Sequence, residues 1–417
     1  MNSSGPGQDF PEFFPMGVRR GVLDANLLAQ RLEKIVTEMG TGISDTLYRR
    51  TQRFLLDGDR SLVISDADNA SVLRRLMDVQ PPARSASARS PVGGIPDNAR
   101  DVHSWWSGLS EREKQELFRA DPFIGNTDGI PQRERDIYNR KNLRRLWDQA
   151  HIEKDRDSSI FYDDLKYLLH GQPHLLSHLG ADGRFAVSRG NPDISDNAVV
   201  FLRPAGNFKP VDFAEETMSQ IRQSATLADP NASTSVTFWS NYDNPTTIID
   251  TIFPHFATDG AAAVRSYHDG LRATHIGPPA HTTTIGYSYG SVLAGHSAGH
   301  GNALATDDMI FLGSWGTGVD NVGDLGLAGV ESGRTADHVY AAMAPHDPLQ
   351  LLPNTHGAMP TTPEFGAPTF AAESAPGVNK WNLLDHNVDN YFSSANPSSR
   401  NIGLIATGHG DQVERLQ

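Results

Sequence analysis

The sequence predicts an α/β protein: a mostly parallel sheet flanked by helices and preceded by a helical N-terminal region. Three observations carry this. From about residue 183, short β-rich runs recur: Arg184–Ser188, Ala198–Leu202, Ser235–Trp239, Thr282–Ile285, Met309–Leu312 and His338–Ala342. Between two of them lies AAAVRSYHDGLRATH (261–275), which reads as a helix. Strands alternating with helices argue for a parallel sheet, because a parallel neighbour is reached only through a crossover. Before residue 183 the texture is helical instead, with long charged faces in WWSGLSEREKQELF and RERDIYNRKNLRRLWDQA.

Taken in order, residues 1–22 are rich in Gly, Pro and Ser and read as irregular. Asp24 to Met39 places Leu27, Leu28, Leu32, Ile35 and Val36 at helical spacing, with Gly40 as a stop. Short helices are expected at 47–56 and 71–79. The stretch QPPARSASARSPVGGIP (80–96) has the composition of a linker and marks a boundary. The expected division is therefore 1–96, a helical and partly irregular region; 97–182, a helical segment packed on the α/β domain; and 183–417, the α/β domain itself. Ser110 with Glu113 three residues on has the form of a capping box. The basic run Arg140–Arg145 reads as a solvated helix face, and Trp105 and Trp106 as packing residues.

Composition removes several functions. Lys and Arg number 36 against 50 Asp and Glu, giving a net charge of −14, which argues against a general phosphate-binding surface and a nucleic-acid partner. The chain has no Cys, so thiol nucleophiles, disulfides and Cys-zinc sites are out. No run of about 18 apolar residues occurs, so no ordinary membrane-spanning helix is expected. The opening MNSSGPGQDFPEFFPMG lacks a basic head and an apolar core, so no Sec signal peptide is expected. Cytoplasmic residence and export by another route both stay open.

The strongest chemical signal is Gly286-Tyr287-Ser288-Tyr289-Gly290. It fits G-x-S-x-G, follows the strand-like HTTTI and opens the small-residue stretch SVLAGHSAGHGNAL. A serine on a tight strand-to-helix turn projects its hydroxyl above the sheet edge. The flanking positions crowd that turn, so both need to be nearly free of side chain. The helix start behind the serine supplies free N–H groups where an oxyanion forms.

A serine nucleophile needs a base and an acid to orient it, and in the α/β-hydrolases, whose nucleophile turn this pentapeptide resembles, they follow it in the order acid, then His. Asp347 suits the acid, because it follows the strand-like HVYAAMAPH and Pro348 blocks continuation. Asp307, Asp308, Asp320 and Asp324 are rivals, of which the first two precede a strand. For the base, His338 and His346 come before Asp347, and His356 comes too soon after it to leave room for another strand. His409 lies beyond the expected last helix, RNIGLIATG, whereas His386 leaves space for a loop, the strand-like PTFAAE (368–373) and a second loop. The oxyanion donors expected are the backbone N–H of Tyr289 and one from the loop after AVVFL, at Ala205 or Gly206.

Several stretches together resemble the actinobacterial α/β-hydrolases grouped as a family of unknown function with a presumed Ser-Asp-His triad. They are WWSGLSEREKQELFRADPFIGNTDGIP (105–131), FAVSRGNPDISDNAVVFLRPAGN (185–207), YDNP (242–245), HTTTIGYSYGS (281–291), DDMIFLGSWGTGVDNVGDLG (307–326), VYAAMAPHDPLQ (339–350) and DHNVDNYF (385–392). The resemblance implies an α/β-hydrolase fold, with the nucleophile on Ser288, the acid on Asp347 and the base on His386. Two positions depart from the family: Tyr287 stands where His is usual, and Pro204-Ala205-Gly206 stands for a Pro-Gly turn. The function expected is hydrolysis of a carboxylic ester, small or lipid, through an acyl-enzyme, with no cofactor and no metal. Acyl transfer by the same residues is the alternative, and a catalytically inactive interaction protein on this scaffold is another. The oligomeric state stays open.

Two further motifs bear on function. His296 and His300 have zinc-compatible spacing, but no HExxH and no third ligand accompany them, so both read as packing residues. The glycines around them suggest close packing on the sheet. The Gly-rich string 313–326 lacks a phosphate-loop signature and is expected as a loop beside the active site.

Overall fold

The computed structural model describes residues 94–206, 208–247, 250–351 and 355–416. The helices expected at 24–39, 47–56 and 71–79, and nearly all of the 80–96 linker, lie outside them. Four helices come first: α1 (Ala99–Ser107), α2 (Glu111–Ala120), α3 (Gln132–Glu153) and α4 (Arg156–Leu168). Their starts reflect local chemistry. Asn98 caps α1, Asp155 caps α4, and at α2 Ser110 and Glu113 form the reciprocal capping box. Val102, Trp106, Leu117, Ile124, Ile130 and Tyr138 make a small core of their own, with the Trp106 indole donating to Glu134. Within the basic run, Arg140 pairs with Asp136 and donates to the carbonyls of Leu169 and His174, so it ties α3 to the chain after α4.

The sheet has seven strands: β1 (His174–Leu179), β2 (Phe185–Arg189), β3 (Asn197–Leu202), β4 (Thr234–Ser240), β5 (His281–Tyr287), β6 (Asp308–Leu312) and β7 (Val339–Ala342). Their order across it is β1-β2-β4-β3-β5-β6-β7. The first two junctions are antiparallel and the other four parallel. β1 is not among the sequence expectations; HLLSHL carries two histidines and no clean alternation. PTFAAE, expected to be strand-like, reaches the sheet only through single bridges at Thr369 and Phe370.

The parallel strands are buried on both faces, so they read as near-continuous apolar runs. Along β3, Val199 and Phe201 point to one side, against α5 (Pro210–Ala228) and α9 (Pro397–Ala406). Val200 and Leu202 point to the other, against α6 (His255–Thr274) and α7 (Tyr289–Ala298). Helix α5 is also missing from the expectations, although Val211, Ala214, Met218, Ile221 and Ala225 are buried at helical spacing. The last helices are the short α8 (Val388–Phe392) and α9. Among the described residues no helix is long and apolar enough to cross a membrane.

Candidate active site

The site lies where β5 gives way to α7. Parallel pairing sets Leu202 beside Gly286, so the end of β3 and the turn after β5 meet at one sheet edge. Ser288 sits in that turn at φ 53 and ψ −127, a strained conformation for a residue with a side chain. Its amide donates to the Leu312 carbonyl at the end of β6 (2.9 Å), which anchors the turn. The two glycines are required on steric grounds. A Cβ on Gly286 would lie 2.6 Å from the Ser291 Cα, and one on Gly290 would overlap the Leu202 carbonyl oxygen.

Asp347 and His386 come from loops beyond β7. The Asp347 amide donates to the Ala344 carbonyl (3.1 Å), which turns the chain back over the sheet edge. His386 immediately precedes Asn387, whose side chain caps α8. Its Nδ1 is 2.8 Å from Asp347 Oδ2, and its Nε2 is 3.0 Å from Ser288 Oγ. Asp347 is fully buried and Ser288 is 7% exposed, while the His386 side chain keeps 15% of its surface open. The three residues expected from the sequence thus stand in one hydrogen-bonded row.

Neighbouring groups fix that row. The Leu349 amide donates to Asp347 Oδ1 (2.9 Å), and the Tyr391 hydroxyl donates to Oδ2 (3.3 Å) while accepting from the Ala344 amide (3.1 Å). Tyr287 donates its hydroxyl to the His386 carbonyl and stacks on the imidazole, with ring centroids 5.3 Å apart. Burial, and next the negative charge of Asp347, hold both phenols well above their usual pKa, so they act as neutral donors. Gly313, at φ 55, backs the row: a Cβ there would lie 3.3 Å from both Asp347 Oδ2 and His386 Cε1. This puts the Gly-rich string beside the site.

The backbone donors divide. Tyr289 is the first residue of α7, directly after Ser288, so its N–H has no partner within the helix. The expectation for Gly206 is corrected. Its amide donates to the Pro245 carbonyl (2.9 Å), which commits it elsewhere and leaves Ala205 as the candidate on that loop.

The rival residues are placed elsewhere. Asp308 lies at the opposite end of β6, 3.1 Å from both His281 Nε2 and His338 Nδ1. Asp307 accepts from the Thr282 amide (2.7 Å) at that same end. His346 Nδ1 meets Ser374, His356 Nε2 donates to the Thr251 carbonyl, and His409 meets Thr407. His296 and His300 stack at the end of α7 with centroids 4.8 Å apart. Burial pushes the His296 pKa down to about 4. Among the described residues no group of three or more His, Asp or Glu could hold a metal ion. Gly295 and Gly299 pack on the loop after β6 rather than on the sheet, a Cβ at Gly295 overlapping the Thr317 carbonyl, while Gly301 faces open space.

Residues 186–356 match the family described as Alpha/beta hydrolase. Among curated proteins the chain is similar to two uncharacterized proteins of Mycobacterium tuberculosis, MT2140 of strain CDC 1551 and Rv2079 of strain H37Rv. Each is 27% identical over 76% of this chain, and the chain spans 56% of each relative's length. Among solved structures it is similar to carboxyl esterase 2 of Tuber melanosporum, at 12% identity, covering 57% of this chain and 84% of that one with a TM-score of 0.34. It is also similar to an esterase of the bacterial hormone-sensitive lipase family, at 16% identity, covering 65% and 98% with a TM-score of 0.33. With a mostly parallel sheet carrying a strained G-x-S-x-G turn at the end of β5, and a family match running from β2 past β7, the chain has the α/β-hydrolase fold.

Proposed function

We propose that the protein is a serine hydrolase that cleaves a carboxylic ester through an acyl-enzyme. The observation that carries this is His386, with one ring nitrogen 2.8 Å from Asp347 and the other 3.0 Å from Ser288 Oγ. That geometry lets the imidazole take the serine proton as Oγ attacks a carbonyl. Asp347 fixes the tautomer, since Nδ1 donates to its carboxylate and leaves Nε2 as the acceptor. Oxygen charge in the tetrahedral intermediate would meet the Tyr289 amide and, across the site, the Ala205 amide. His386 then returns the proton to the leaving alcohol, and the same steps in reverse order let water release the acid. Small-molecule and lipid esters both suit this chemistry.

The test is reaction of the intact protein with a fluorophosphonate, mapped by mass spectrometry, alongside turnover of p-nitrophenyl esters. Labelling at Ser288 together with ester turnover is expected. A protein that is folded, unlabelled and inactive on esters of every chain length tried would overturn the reading.

A further inference from the structure

We propose that Asp385 is a positioning residue, whose buried carboxylate ties the loop carrying Asp347 to the loop carrying His386 and so sets the contact between them. The proposal rests on the serine-hydrolase reading of the site. The acid and the base lie 39 positions apart, and no strand pairing joins their loops. What joins them is chiefly one side chain. Asp385 Oδ2 accepts from the His346 amide (3.0 Å) and from the Ser374 hydroxyl (2.6 Å), and Oδ1 accepts from the Ala375 amide (2.8 Å). The Asn382 amide adds a bond to the His346 carbonyl (3.1 Å).

The placement is what matters. His346 immediately precedes Asp347, and Asp385 immediately precedes His386. The tie therefore closes one residue away from both Asp347 and His386. Asp385 is fully buried, and a carboxylate is costly in the interior unless its oxygens are met by donors. Two of its three donors are backbone amides, so it is satisfied only when both loops hold this conformation. The Ser374 hydroxyl gives its proton to Asp385, so His346 Nδ1, 2.8 Å from Ser374 Oγ, is the donor to that oxygen. His346, Ser374 and Asp385 thus make a second polar row beside the first.

The proposal is tested with Asp385→Asn and Ser374→Ala in the full chain. Asparagine keeps one acceptor oxygen and turns its amide toward a donor, so the loops separate. Because a misplacement of about 1 Å costs on the order of 10²-fold, Asp385→Asn is expected to lower kcat about 10²-fold with KM changed less than about twofold. Ser374→Ala keeps the charge and removes one bond, and a loss of roughly tenfold in kcat is expected. In both variants the loosened Asp347 contact favours imidazolium less, so the acid limb of kcat/KM moves to lower pH. The His386 ring titration, read by NMR without any turnover, moves the same way. The proposal is overturned if both variants, melting cooperatively, keep the parent kcat and His386 titration. It is equally overturned if activity falls only in step with melting temperature while the His386 titration stays put. If Asp385→Asn does not fold, Ser374→Ala decides by the same readouts. A parent protein that neither reacts with a fluorophosphonate nor turns over esters sinks the hydrolase reading alone, because the His386 titration still reports whether Asp385 sets the contact.

Discussion

Ser288 illustrates how much one residue asks of its surroundings. It holds a left-handed φ, and its hydroxyl is within hydrogen-bond reach of His386 Nε2. Ser288→Ala removes the proposed nucleophile while leaving the turn in place. Ester turnover is expected to fall by on the order of 10⁴ or more, with an unchanged circular dichroism spectrum. Tyr391 acts on the other end of the row. Tyr391→Phe takes a hydrogen bond from the buried Asp347 carboxylate and leaves the Ala344 amide without its partner. Hydrogen bonds to charged groups contribute about 1.5–3 kcal/mol, so a loss of roughly tenfold or more in kcat is expected, together with a lower melting temperature. Steady-state kinetics on the folded variant checks this; unchanged kcat would mean that the phenol only fills space.

The element that decides the site is the turn between β5 and α7, and its tolerance is set by contact with β3. Gly290 packs its α-carbon against the Leu202 carbonyl, immediately before the loop that holds Ala205. Gly290→Ala forces one of these backbones to move. Overpacking of this kind costs about 1–3 kcal/mol, and the displaced segment is the one that carries the proposed second oxyanion donor. A lower melting temperature with a disproportionate loss of kcat is therefore expected. A variant that melts lower yet keeps the parent kcat would show that the β3 loop is not part of the chemistry.

For the molecule as a whole, burial sets how stability responds to pH. His268 is enclosed between α6 and β5, and His296 lies under the loop after β6; burial pushes both down to about 4. In the unfolded chain an imidazole titrates near its ordinary value of about 6.5. As pH falls from there toward 4 the unfolded chain gains protons that the folded one does not, so stability is lost over that window. The melting temperature is expected to drop steadily between those pH values, and His268→Gln is expected to flatten the slope. At the same scale, the site's place in the chain bears on residues 1–96. Every residue of the Ser288 row lies after residue 280, and α1 starts at Ala99 with its own cap at Asn98. A chain beginning at Asp97 is therefore expected to stay soluble and to keep most of its ester turnover. If it is folded but inactive, the first 96 residues contribute to the site.

The sequence by itself determined what depends on short stretches of chain. Ser288 was legible because glycines at both flanks, a strand before and small residues after are local requirements of its turn. The capping box at Ser110 and all five of the strands in parallel pairs were legible for the same reason, since a buried strand writes its apolar run into a few consecutive residues. Asp347 and His386 were ordered by chain position and by resemblance to a family, and the tertiary structure brought them within hydrogen-bond distance of one another and of Ser288. It alone gave Tyr287 and Tyr391 their partners and withdrew Gly206 by pairing it with Pro245, as it alone paired Asp385 with the loop before Asp347. Those contacts join residues tens of positions apart, and no periodicity or composition records them. They exist because closing the sheet edge leaves carboxylates, amides and phenols without water, and each then takes the nearest partner that folding brings to it.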